Sequence, residues 1–272
     1  MSDGAGSPGP STNRQLERAV DACRPLLRRL VAERVFPGAA LAVACSGAPD
    51  CVVGTTGALT YDPGSSSVTT ETRYDLASVT KVVAACAVTM TLVADETLSL
   101  ATPLSAVVPD WGGGAKDEVT VGHLLSHTSG LAAHEPFYLD RSGAEAVRRA
   151  VKASSLLAPP GSRCVYDLRI ILLVEVLEAA TNSNFATLVG ARMLEPLALH
   201  ETSFAPPAAL RPSIAPTEDD SWRGTVVHGV VHDENAYAMD GIAPHAGLFS
   251  TAADVARIRS KPAGRCCSPS RG

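Results

Sequence analysis

The sequence predicts an α+β protein, a mixed helical domain with an antiparallel sheet, and three observations carry that prediction. Apolar residues Leu16, Val20, Cys23, Leu27, Leu30 and Val31 recur at intervals of three and four, the spacing of one helical face. Two short apolar runs, Ala39 to Ala44 and Val52 to Thr56, are separated by turn-forming residues, as in a β-hairpin. The stretch from Val79 to Ala94 is apolar almost all round, so its helix must lie at the centre of its domain.

Residues 1–13 are rich in Gly, Ser and Pro and are expected to form a disordered tail. Pro25 interrupts the first helical pattern, which predicts a kink or a restart there. Phe36-Pro37-Gly38 turns the chain into the hairpin. After the central helix, short helical segments are expected near Pro103 to Pro109 and from Gly122 to Leu131. Longer ones are expected at Gly143 to Ser154, Ile170 to Ala179 and Asn184 to Leu194. Thr225 to Val231 reads as a short strand, and Ala252 to Ile258 as a helix capped by Ser250-Thr251. One domain over 14–258 and an irregular tail over 259–272 complete the outline.

A chain of 272 residues with 46% apolar content can bury a substantial core. Its net charge of −5 and scattered basic residues point away from a nucleic-acid partner. No stretch is long and apolar enough to span a bilayer, and the start shows no secretory signal pattern, so a cytoplasmic location is expected. Seven cysteines without C-x-x-C spacing fit reduced thiols rather than a disulfide framework.

The chemistry concentrates at Arg73 to Lys81, Arg-Tyr-Asp-Leu-Ala-Ser-Val-Thr-Lys. Residues three apart share a helix face, so Ser78 and Lys81 can point into one cleft. A serine hydroxyl needs a group to take its proton, and packing of Lys81 among Leu76, Val82 and Val83 would favour its use as that base. Backbone N–H groups at the helix N-terminus would face a developing oxyanion. By itself the two-residue pattern reads more readily as an ordinary serine cap and a solvated lysine.

Other segments remove that ambiguity. The stretch at 73–81 resembles the active-serine segment of the class C β-lactamase and penicillin-binding-protein family, which includes DD-peptidases and serine esterases. Phe36-Pro37-Gly38-Ala39, Leu124 to Leu131 (Leu-Leu-Ser-His-Thr-Ser-Gly-Leu), Pro160-Gly161 with the following Tyr166, His232 to Ala236 and His245 to Asp254 resemble the same family in the same order. The resemblance implies a β-lactamase/transpeptidase-like fold and a hydrolase that needs no cofactor. Ser78 would be the acylated nucleophile, Lys81 the base or proton relay, and Tyr166 the second acid/base. The substrate would be a small or peptide-like ester, β-lactam or D-alanyl amide.

Three features depart from the pattern. The chain reads Tyr166-Asp167-Leu168 where relatives carry one more residue, which would rotate the downstream residues by about 100° on a helix. Asp167 reads equally as a site residue or a helix N-cap. His245-Ala246-Gly247 resembles the family's third motif in letters but lies upstream of its place, so the strand bearing that motif and further sheet strands are expected to be missing. The tail from Arg259 fits a truncated frame, and the alternative to an active hydrolase is an inactive homologue or a binding module. The pairs His123/His127 and His228/His232 have helical metal-ligand spacing, but neither carries the Glu of a metalloprotease motif and the first lies inside the family-like segment Leu124 to Leu131 and its approach, so no metal is expected.

Overall fold

A computed structural model describes residues 10–45, 51–133, 135–166 and 169–260. The chain divides into two compact units, the first from residues up to Asp75, Pro196–Gly229 and Phe249 onward, the second from Leu76–Glu195 and Val230–Leu248.

In the first unit, α1 (Pro10–Ala32) packs on a hairpin of β1 (Gly38–Ala44) and β2 (Cys51–Gly57). The helix starts earlier than the expected tail boundary, and residues 1–9 lie outside the described residues. Pro25 does not interrupt it. Both Pro25 and Asp21, whose carbonyl loses its amide donor to the ring, face solvent, where water replaces the missing bond. The hairpin register pairs Leu41 with Gly54. A Cβ at Gly54 would come within 2.4 Å of Val20 Cγ1, so only glycine lets the helix approach this closely.

A three-stranded sheet runs in the order β3 (Tyr74–Asp75), β7 (Leu248–Ser250), β4 (Ser203–Phe204), and its paired residues in the first unit set Tyr74 opposite Ser250 and Asp75 opposite Phe249. A two-residue ladder joins β5 (Asp219–Asp220) to β6 (Thr225–Val226), which shortens the strand expected up to Val231. Helix α8 (Ala252–Ser260) packs on β1 and is capped by Thr251, whose Oγ1 accepts the Asp254 amide. Its run to Ser260 enters the stretch expected to be an irregular tail; residues 261–272, with Cys266 and Cys267, lie outside the described residues.

The second unit is helical. A π-helical segment, Lys81–Cys86, leads directly into α2 (Ala87–Ala94). Val83, Ala84, Ala85, Val88 and Leu92 are buried, but Val82 and Met90 are more than half exposed. The expectation of a helix buried on every side is therefore corrected: its apolar composition covers more surface than the unit uses. The unit also holds α3 (Val121–Leu125), α4 (Ala144–Ala153), α5 (Leu172–Thr181), α6 (Phe185–Val189) and α7 (Glu234–Ala238), with α3, α4 and α6 packed on α5. Side chains cap three of these, Thr120 for α3, Asn184 for α6 and Asp233 for α7. The core is mainly aliphatic, with Leu104, Leu124, Val147, Leu172, Leu173 and Leu177 fully buried, and Phe185 joins it almost fully buried.

Candidate active site

The site is built in the second unit from the turn that begins its central helix. Amides of Val79, Thr80 and Lys81 donate to the carbonyls of Leu76, Ala77 and Ser78, three residues back, so the entry is a tight turn before the π-helical segment. This corrects the expectation that those helix amides face an oxyanion, because they are already bonded. The Ser78 amide, by contrast, has no partner among the described residues. Ala77, immediately before it, sits at φ +43°, a left-handed backbone that costs a non-glycine residue about 1 kcal/mol. Strain of this kind persists only where surrounding structure holds it, and it brings Ser78 out to an exposed position.

Lys81 lies beneath the serine. It is only 5% exposed, and its Nζ donates to Ser78 Oγ at 2.8 Å and to the His245 carbonyl at 3.3 Å. Of the neighbours expected to shield it, Val83 is buried and Val82 is not.

Tyr166 completes the expected trio. Its ring centroid is 4.9 Å from Lys81 Nζ, so the shortened Tyr166-Asp167-Leu168 stretch leaves the tyrosine beside the lysine. Asp167 itself lies outside the described residues. Local pairing accounts for the placement. Leu157 donates to Gly130, Gly161 to Thr128 and Val165 to His127, so the segment after α3 carries the segment that ends at Tyr166. Gly130, at φ +82°, permits this: a Cβ would meet the Ala158 carbonyl at 2.1 Å. The His127 ring packs 4.7 Å from that of Tyr166. Partial burial pushes the Tyr166 phenol up, but hydrogen bonding to Lys81 and Ser78 and the lysine's charge outweigh it, and the phenol ends below its ordinary value.

Behind the trio stand His245, from the stretch that resembles the third motif in letters, and Asp233, which the sequence did not single out. Asp233 caps α7 by accepting the Ala236 amide at 2.8 Å, and the same oxygen meets His245 Nε2 at 2.9 Å. Burial pushes the Asp233 carboxyl up, while the His245 bond and charge, the Ala236 amide and the Lys81 charge bring it down to about 2. The segments His232 to Ala236 and His245 to Asp254 were visible as family-like stretches, but nothing in their spacing joins them to each other. His123 is drawn into the cap of α3, its Nδ1 accepting the Thr120 amide, and His228 Nε2 lies against backbone carbonyls of Arg211 and Ile214. Among the described residues no group of three potential ligands is disposed to hold a metal.

The site thus sets Ser78 over the buried Lys81, with Tyr166 beside the lysine. The model of the Beta-lactamase family matches residues 24–265. The chain belongs to that family. A Salmonella agona (strain SL483) protein named "Putative D-alanyl-D-alanine carboxypeptidase" is 31% identical over 217 residues, covering 69% of this chain and 50% of that protein. The chain spans about half the length of the curated relatives it matches. Among solved structures, the octameric penicillin-binding protein homologue from Pyrococcus abyssi superimposes with a TM-score of 0.73 at 23% identity, over 89% of this chain and 55% of that one. A class C beta-lactamase does so with a TM-score of 0.73 at 21% identity, over 93% and 66%. These two establish a β-lactamase/transpeptidase-like fold. Among the described residues no helix is long and apolar enough to cross a membrane.

Proposed function

We propose that the chain is a serine hydrolase that forms a covalent acyl-serine on Ser78, with a D-alanyl amide or a related ester or β-lactam as substrate. The observation that carries this reading is the 2.8 Å contact between Lys81 Nζ and Ser78 Oγ, with Tyr166 at the same lysine. Ser78 Oγ attacks the acyl carbon while its proton passes by way of Lys81 to a Tyr166 phenolate. The Ser78 amide donates to the oxyanion. Collapse breaks the bond to the leaving group, which takes a proton from the Tyr166 phenol, and water then releases the acid and restores the serine. The D-alanyl preference rests on the name of the Salmonella agona relative and on family membership.

The reading is tested by treating the purified chain with a fluorescent penicillin and with a fluorophosphonate, then locating the adduct by peptide mass spectrometry. A single adduct on Ser78, abolished in Ser78→Ala, is expected. Folded protein that takes up neither reagent overturns the reading and leaves a non-catalytic binding module.

A further inference from the structure

We infer that Asp233 and His245 form the positioning device that holds Lys81 against Ser78; the inference rests on the acyl-serine reading above. The His245 ring is completely buried, and its Nε2 meets Asp233 Oδ1 at 2.9 Å. Facing a carboxylate, Nε2 carries the proton and donates. Nδ1 has no partner among the described residues, so this bond is the ring's single polar anchor. Asp233 is itself fixed by its cap on α7.

What the ring anchors is its own backbone carbonyl, the second acceptor of Lys81 Nζ at 3.3 Å. The segment is tied to the nucleophile turn at its other end as well. The Leu248 amide donates to Thr80 Oγ1 at 3.3 Å, and the Leu76 amide to the Leu248 carbonyl at 2.9 Å. Residues 245–248 thus grip the Ser78 turn on both sides. At the Leu248 end the grip is made by the chain's own turn; at the His245 end it depends on a side chain. Without the Asp233 bond nothing polar orients the His245 ring, the carbonyl is free to shift, and Lys81 loses the acceptor that fixes its amine under Ser78. Displacements of about 1 Å at a reacting group can reduce a rate by about 10²-fold. Asp233 and His245 act through Lys81 and are positioning residues.

The test compares His245→Leu, which fills the space without a donor, with His245→Gln, whose amide can still donate to Asp233. Two quantities are read on the full chain: the fluorophosphonate acylation rate constant per folded molecule, and the rate at which acetic anhydride acetylates Lys81, followed by peptide mass spectrometry. In His245→Leu acylation is expected to slow by about 10- to 100-fold and Lys81 acetylation to quicken by about 10-fold, the scale of a misplaced reacting group. His245→Gln is expected to restore both to within about threefold, on the same argument. A purely structural role would lower the folded fraction and leave the rate constant per folded molecule intact. A folded His245→Leu with wild-type values in both readouts overturns the inference, as does a His245→Gln as impaired as His245→Leu. If His245→Leu does not fold, Asp233→Ala, which removes the acceptor from a partly exposed position, is judged by the same two criteria. If wild-type chain is not acylated at all, the hydrolase reading falls, while the protection of Lys81 still decides this inference.

Discussion

Asp233 and Asp254 are both acidic residues near the start of a helix, both held by side chains and amides, yet they serve different ends. Asp254, in the first unit, is 1% exposed and accepts from the Glu201 amide at 2.8 Å, Thr202 Oγ1 at 3.0 Å and Arg257 Nη1 at 2.8 Å. Its bonds connect α8 to the segment before β4. Asp233, in the second unit, is 30% exposed and concentrates the Ala236 amide and His245 Nε2 on one oxygen, while its charge faces Lys81 and Tyr166. A carboxylate saturated by local donors stabilises a fold; one that leaves its field open to titratable neighbours also bears on chemistry.

The largest expected effect sharpens the chemical side of that comparison. Tyr166→Phe should slow acylation by about 10²- to 10⁴-fold, the usual weight of a proton-transfer group, with little change in stability because the ring is 59% exposed. Its phenol lies below the ordinary value, so the wild-type rate should rise with pH through a limb placed under pH 10, and the variant should lack that limb. Stopped-flow acylation across pH is the measurement, and an unchanged profile in the variant would remove Tyr166 from the mechanism.

Next comes Asp254→Ala. Removing a buried carboxylate strands its donors and should lower stability by about 3 kcal/mol in urea unfolding. The acylation rate per folded molecule should not change. A loss of rate at full folding would break the contrast between the two carboxylates.

The smallest effect concerns acid. The folded value of Asp233, about 2, lies below its ordinary 3.8. A depressed carboxylate adds stability that is complete above the unfolded value and is lost as pH falls through the folded one, here between about pH 5 and 2, and amounts to about 2 kcal/mol. Asp233→Asn should flatten the stability curve over that window. Urea titrations at pH 6 and pH 3 decide it, and equal wild-type and variant slopes would mean that His245 does not hold this charge in the fold.

Legibility in the sequence followed range. The hairpin of β1 and β2 was readable because each strand is an apolar run next to its partner, and α4, α5 and α6 because a period of 3.6 is a local property. Two-residue strands such as β3, β4 and β5 carry no alternation to detect. The helix runs through Pro25 without a restart because the missing bond in α1 faces water, which propensity does not record. The all-apolar text of the central helix misled: it encodes what a residue can bury, not what neighbours are present to cover Val82 and Met90.

By itself the sequence determined that Ser78 and Lys81 lie on one face, since three residues along a helical turn bring the two positions together. It also determined, through ordered segments, the family to which the chain belongs. Only the tertiary structure decided that Tyr166 comes to Lys81 from 85 positions away, and that the His245 carbonyl does so from 164. The physical reason is that such contacts depend on how packed helices and the 127–130 pairing close long loops, a property of the assembled core that no local window of residues contains.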